Sequence, residues 1–203
     1  MPDFEFENKL TARGYKNICG VDEAGRGPLA GPVCAAAVIL PLDCVIEGLN
    51  DSKKLTEKKR EFIYDIIIRK AVSYSVAFAS VQKIEEVNIL NATFLAMNRA
   101  INGLSLKCDY AIIDGNQVPK GISVPCMTVV KGDGKSNSIA AASVLAKVTR
   151  DRLMLEYDKT YPQYEFCKHK GYGTKLHVDK ILEYGPSEIH RLSFLKKIYE
   201  KQK

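Results

Sequence analysis

Lys16-Asn17-Ile18-Cys19-Gly20-Val21-Asp22-Glu23-Ala24-Gly25-Arg26-Gly27-Pro28-Leu29-Ala30-Gly31 is the stretch on which the fold turns. Lys16 to Val21 reads as a short buried strand leading directly into two acids, Asp22 and Glu23. A glycine-rich loop, Gly25-Arg26-Gly27-Pro28, follows at once. Glycines there let backbone approach a phosphodiester closely, and Arg26 can pair with a phosphate. The loop lacks the Gly-Lys-Ser/Thr of a nucleoside-triphosphate loop.

Outward from this stretch, strands and helices alternate. Val33 to Leu40 is a second apolar run, bounded by Pro32 and Pro41. Ser73 to Ser80 alternates, with Tyr74, Val76 and Phe78 on one face, and predicts a third strand. Tyr110 to Ile113 and Val124 to Val130 supply two more. Thr56 can cap a helix through Phe62, Ile63, Ile66 and Ile67. Val87, Leu90, Phe94, Met97 and Ile101 form the stripe of a long amphipathic helix, and another helix is expected from about Ser138 to Tyr157. Two shorter ones, near Lys175 to Glu183 and Ser187 to Glu200, flank Gly185-Pro186. The expected architecture is an α/β domain with a helical C-terminal extension.

The acids carry the chemistry. Asp22 and Glu23 are read directly after the first strand, Asp114 directly after the fourth and Asp133 just after the fifth. Ligands gather at the carboxyl ends of strands in α/β sheets. If strands one and four are parallel neighbours, these carboxylates converge, and hard divalent cations such as Mg²⁺ would neutralise them. Two ions about 3.5–4 Å apart can activate a water and stabilise a phosphodiester's leaving oxygen, with Asp22 as the bridging ligand. Taken singly, each acid reads as a turn residue, since Lys-Gly-Asp-Gly is a good turn sequence.

Composition narrows the classes. The 203 residues are 46% hydrophobic and 27% charged, ordinary for a globular chain able to bury a core without covalent staples. The six cysteines form no Cys-x-x-Cys pair and are expected as buried reduced thiols, which suits the cytoplasm. No run is long enough for a membrane span, and Met1 to Leu10 does not read as a secretory signal. The net charge of +6 is concentrated from Lys168 onward, where nine Lys and Arg face four acids. That balance suits a polyanion such as nucleic acid, or simply a pair of solvated helices. His177 and His190 read as surface residues without partners.

Together these motifs resemble the ribonuclease HII family. The resemblance rests on Gly20-Val21-Asp22-Glu23-Ala24-Gly25-Arg26-Gly27-Pro28-Leu29, Leu49-Asn50-Asp51-Ser52-Lys53-Lys54-Leu55 and Asn88-Ile89-Leu90-Asn91-Ala92-Thr93. Ile113-Asp114-Gly115-Asn116, Val130-Lys131-Gly132-Asp133, the segment from Ala142 to Asp151 and His169-Lys170-Gly171-Tyr172-Gly173-Thr174 follow in the family's order, covering about residues 16 to 195. Ala141 stands where many members have serine.

The resemblance implies a ribonuclease H-like fold, a five-stranded mixed sheet flanked by helices, with residues 14–160 as catalytic domain and 161–203 as the substrate-binding extension. It implies cleavage of the RNA strand of RNA–DNA hybrids, and nicking 5′ of ribonucleotides embedded in DNA, to give 5′-phosphate and 3′-hydroxyl ends. By the same resemblance Asp22, Glu23, Asp114 and Asp133 are the catalytic and metal-binding acids, for Mn²⁺ or Mg²⁺, with two ions present when substrate is bound. Gly25, Arg26, Gly27, Lys53, Ser143, Lys147 and Tyr172 fall at its substrate-binding positions. The glycine turn would sense the 2′-hydroxyl that marks RNA, Tyr172 would pack on the neighbouring deoxyribose, and Lys53, Lys147 and the C-terminal basic residues would hold phosphates. Monomer is the default state. The rival readings are a DNA nuclease of the same fold and a non-catalytic hybrid-binding module. The first has no need of the Gly25-Arg26-Gly27 turn with Tyr172, and the second would gain by losing the acids.

Overall fold

A computed structural model describes residues 1–200; the end of the proposed extension, 201–203, lies outside the described residues. Five strands form one sheet in the order β3-β2-β1-β4-β5. They are β1 (Ile18–Ala24), β2 (Val33–Ile39), β3 (Ser73–Ala79), β4 (Tyr110–Asp114) and β5 (Cys126–Val129). β2 pairs antiparallel with β1 and β3, whereas β4 runs parallel to both β1 and β5. The sheet is mixed, as expected, and β1 and β4 are the parallel neighbours that the acid reading needed.

β2 explains how helices cover both faces. Its seven residues are all buried, and successive side chains point to opposite sides. Val33, Ala35, Ala37 and Ile39 join the core beneath α3 (Val81–Asn102), while Cys34, Ala36 and Val38 join the core beneath α2 (Glu57–Lys70) and α4 (Asn137–Thr160). Alanines in the middle of the strand let backbone approach from either side. The closest approach is at Gly20 in β1, where a Cβ would stand 2.1 Å from the Ser138 carbonyl carbon. The start of α4 therefore lies directly under the strand that carries Asp22.

Helix ends follow local chemistry. Thr56 caps α2 by accepting from the Lys59 N–H, and Ser136 caps α4 by accepting from the Ile139 N–H. The expected continuous stripe through Val87 is interrupted: Asn88 adopts φ 67°, ψ 166°, and its side chain accepts from the Asn91 N–H at 3.1 Å. This pair of angles lies outside the left-handed helical well and is one that side-chain-bearing residues rarely adopt, and the Asn88 side chain caps the helical segment that restarts after it. An additional helix, α1 (Glu5–Thr11), escaped the sequence reading. It brings the buried carboxylate of Glu7 to the head of α4, where it accepts from Ser136 Oγ at 2.7 Å and the Ser138 N–H at 3.2 Å. A negative charge is favourable at a helix N-terminus.

The C-terminal part comprises α5 (Phe166–His169), α6 (Lys175–Tyr184) and α7 (Leu192–Glu200). The last helix starts later than the expected Ser187. Residues 189–191 instead pair with the loop after β1: the Gly31 N–H donates to Ile189 O and the Arg191 N–H to Leu29 O, both at 2.8 Å. Extended pairing and helix cannot share the same backbone groups. Cys19, Cys34, Cys44 and Cys108 are buried free thiols as expected, but Cys126 is half-buried and Cys167 exposed. Among the described residues no helix is long and apolar enough to cross a membrane.

Candidate active site

β1 runs three residues further than the sequence suggested, to Ala24, so Asp22 and Glu23 lie within the strand, and Asp114 is the last residue of β4 rather than the first beyond it. Val21 is in register with Ile113, which makes Asp22 and Asp114 neighbours across the parallel pair. Asp133 arrives from a short 3-10 turn, Gly132–Gly134, that follows β5. The Gly132 N–H donates to Asp114 Oδ1 at 2.6 Å and fixes this turn against β4.

Three separated stretches of chain thus deliver four carboxylates to one edge of the sheet. Asp22 and Asp133 are 4% and 6% exposed, so the charges are largely shielded from water. Burial first, then the charges of Glu23 and Asp114, push Asp22 well above the ordinary carboxylate range. Hydrogen bonds from Ser143 and from the Glu23 N–H, at 2.7 Å, act in the opposite direction. Burial also raises Glu23 and Asp133, with Asp114 repelling both, while Arg26 lowers Glu23 and Lys53 lowers Asp133.

The cationic side of the site is thin. Lys53 Nζ lies 3.9 Å from Asp133 Oδ2, and its side chain is otherwise exposed. Burial lowers the Lys53 pKa, but Asp22, Asp133, Asp51 and Asp114 together more than offset that and raise it. Lys53 is held by the Asp51 turn, whose carboxylate accepts from the Lys53 N–H at 2.8 Å; the adjacent Ser52 Oγ is 2.9 Å from Ser143 Oγ. Ser143 therefore connects α4, the Asp51–Lys54 turn and Asp22.

An oxygen-only set of four carboxylates with one nearby ammonium is what a hard divalent cation fits. Among the described residues no three acids are already closed into a coordination sphere, so a cation would draw together groups that otherwise repel. Beside the acids runs a shallow groove lined by Glu23, Arg26, Asp114, Leu90, Phe94 and Asn116. The α3 residues in it were legible in the sequence only as a core stripe.

The remaining expected residues fall around the loop after β1. Gly25 has φ +99°, and a Cβ there would lie 2.1 Å from Arg150 Nε. Arg26 is exposed and 3.4 Å from Glu23 Oε1; Gly27 is also exposed. Tyr172 is 40% exposed, with Lys147 Nζ 5.3 Å and the Arg150 guanidinium carbon 5.8 Å from its ring centre. Lys147 also pairs with Asp151 at 2.7 Å.

Two buried arginines beside this loop were not singled out from the sequence. Arg150 and Arg191 are both fully buried. Arg150 donates to the carbonyls of Pro32, Lys170 and Ala30, each at 3.0 Å. Arg191 donates from Nε to Gly31 O at 2.9 Å, from Nη1 to Arg26 O at 3.0 Å and from Nη2 to Gly25 O at 2.7 Å. Burial, reinforced by Arg150, pushes Arg191 down to about 9, so it stays cationic at neutral pH. Of the C-terminal basic residues expected as a group to hold phosphates, Arg191 has its donors engaged by backbone carbonyls instead.

The histidines also require correction. His177 and His190 are buried, not surface residues, and His169 is buried beside them. The His169 and His177 rings stack with centres 4.2 Å apart, and His177 Nε2 lies 3.1 Å from His190 Nε2. Burial is the leading cause that lowers all three, His177 to about 3 and His190 to about 4. Below about pH 6.5 an unfolded chain binds protons that this cluster refuses, so stability falls toward pH 4 by about 1.4 kcal/mol per pH unit for each of His177 and His190. The raised carboxylates work in the opposite direction. The histidine share is therefore read by urea unfolding at pH 7 and pH 5, as the difference between wild type and His177→Phe. The variant should lose less stability on acidification, and an identical loss would show that the cluster protonates without unfolding.

Known proteins resemble this chain in sequence and in fold. The family model for ribonuclease HII matches residues 19–197. The ribonuclease HII of Caldicellulosiruptor saccharolyticus is 56% identical over 195 residues, covering 96% of this chain and 95% of that protein. That of Clostridioides difficile is 53% identical, over 95% of this chain and 75% of its own length. Among solved structures, ribonuclease H2 from Pyrococcus horikoshii OT3 matches with a TM-score of 0.74 at 27% identity, covering 92% of this chain and 98% of that one. Sequence and fold agree, and the chain belongs to the ribonuclease HII family, an enzyme of the ribonuclease H class.

Proposed function

We propose that the chain hydrolyses the RNA strand of RNA–DNA hybrids and nicks 5′ of single ribonucleotides embedded in DNA, leaving 5′-phosphate and 3′-hydroxyl ends. The observation that carries this reading is the convergence of Asp22, Glu23, Asp114 and Asp133 at one end of the parallel β1–β4 pair, beside a glycine turn. Those four residues would hold divalent cations, Mg²⁺ or Mn²⁺, whose chemistry is to activate water and to stabilise the departing 3′ oxygen. Asp22, central and the most buried of the four, would be the acid common to the cations held there.

The chain's own residues position the substrate. Lys53 sits where it can neutralise a phosphate that approaches the acids, and Ser143 holds the Asp22 carboxylate and the Lys53 turn in one frame. The exposed peptide groups at Arg26 and Gly27 are available to the sugar edge, where the 2′-hydroxyl distinguishes RNA from DNA. The half-exposed Tyr172 ring offers a flat apolar face to the neighbouring deoxyribose. Residues 14–160 supply the acids, and 161–203 would act as a substrate-binding extension through Tyr172 and exposed lysines.

The test is a DNA duplex with one embedded ribonucleotide, incubated with Mg²⁺ or Mn²⁺. A single cut 5′ of the ribonucleotide is expected. Cleavage of long hybrids without cleavage of this duplex would remove the junction role from Tyr172. Cleavage of all-DNA duplexes would favour the DNA-nuclease reading, and binding without any cleavage would favour a hybrid-binding module.

A further inference from the structure

Arg191 and its neighbour His190 are adjacent in the chain but serve two different loops. Arg191 takes the carbonyls of Gly25, Arg26 and Gly31. His190 acts through a short hydrogen-bonded relay. The Ser187 N–H donates to His190 Nδ1 at 2.9 Å, which leaves the proton of a neutral ring on Nε2. That nitrogen donates to His177 Nε2 at 3.1 Å, and His177 Nδ1–H in turn donates to the Tyr172 carbonyl at 3.0 Å. Every ring nitrogen in the relay has a partner, and the tautomers follow from those partners.

The consequence for the glycine turn is geometric. A trans peptide points its N–H opposite to its C=O, and the described chain contains no cis peptide. With the carbonyls of Gly25 and Arg26 drawn inward by Arg191, the N–H groups of Arg26 and Gly27 are directed away from it. Among the described residues neither N–H has a protein acceptor, and both residues are exposed. A buried guanidinium has thus turned two backbone donors outward on the loop that follows the acids.

We propose that His190 and Arg191 form a positioning pair that sets both halves of the ribose-sensing surface, Arg191 orienting the Gly25–Gly27 turn and His190, through His177, orienting the Tyr172 turn. This rests on the reading that those two turns contact the substrate sugars. The two halves are also tied directly, because the Leu29 N–H donates to Gly171 O at 2.8 Å and Arg150 bridges Lys170 O to Ala30 O. A shift at residues 190–191 is therefore felt on both sides of the sugar. Neither residue touches substrate in this scheme.

The experiment compares Arg191→Lys and His190→Phe with wild type on two duplexes, one with a single ribonucleotide and one with a 2′-fluoro nucleotide at the same position, with enzyme in excess over DNA. Lysine keeps the charge but cannot reproduce the planar fork that reaches three carbonyls. Arg191→Lys should lower the ribonucleotide-to-fluoro rate ratio by about tenfold or more, the loss expected when one aligned donor to the sugar is misplaced. His190→Phe should lower it by roughly half that factor on a logarithmic scale. A merely structural role would scale both rates equally, and an unchanged ratio in folded variants overturns the proposal. If Arg191→Lys does not fold, His190→Phe carries the same test alone. Should wild type itself cut both duplexes equally, the ribose-sensing reading has failed and the positioning pair falls with it.

Discussion

Asp22→Asn is expected to lower hybrid cleavage by roughly a thousandfold or more, equivalent to about 4 kcal/mol of barrier. Asp22 is the acid that meets both Glu23 and Asp114, and the most deeply buried of the four. Asparagine is nearly isosteric and can still accept from the Glu23 N–H, but it brings no charge to attract a cation. Loss of folding would be the trivial explanation, and the structure predicts against it. A buried carboxylate whose pKa is raised by burial and by like charges destabilises the metal-free protein at neutral pH. The metal-free variant should therefore melt at or above the wild-type temperature at pH 7. Wild type should be stabilised by added Mg²⁺ through mass action, whereas the variant should show little change. A variant that melts well below wild type without metal would assign Asp22 to the core instead of the chemistry.

The second large effect is expected at Gly25. Its φ of +99° is one that side-chain-bearing residues rarely adopt, and a Cβ would overlap Arg150 Nε at 2.1 Å and come within 3.0 Å of Pro32 O. Backbone strain of about 1–3 kcal/mol and overpacking of a similar size both apply. Gly25→Ala should cost about 3–5 kcal/mol, a fall in Tm of roughly 10 °C for a chain of this length. Arg150 cannot yield by rotating outward, because its donors are engaged by three carbonyls. Thermal unfolding followed by circular dichroism checks this, with Gly27→Ala as the comparison. Gly27 is exposed, and nothing lies within 4 Å of its notional Cβ, so it should melt close to wild type. Equal melting of the two variants would mean the loop can move away from Arg150.

What could be read beforehand was what local pattern encodes. β2 and β3 announced themselves through apolar and alternating runs, and Thr56 marked its helix through capping chemistry. The four acids were visible because strand ends place them, although β1 extends past them to Ala24 by pairing with β2. Nonlocal acceptors were invisible. Arg191 and Arg150 have the composition of phosphate binders, and only the fold brings the carbonyls of residues 25–32 to them. His177 likewise counted as a surface residue until His190 and the Tyr172 carbonyl closed around it. Asn88 lay inside a well-spaced apolar stripe, and spacing says nothing about a single residue with positive φ.

The order in which the chain is made gives the Arg191 anchor one further meaning. Gly25 leaves the ribosome early, but the guanidinium that holds its carbonyl is translated 166 residues later. Until then the carbonyls of Gly25, Arg26 and Gly31 are solvated, and the turn has no internal reason to prefer one orientation of its peptide planes. The acids on β1 and β4 can pair well before that point, since vectorial synthesis completes the sheet first. A nascent chain thus completes its charge cluster before the residue that anchors the Gly25 turn has been made, and a loop that emerges early is fixed late.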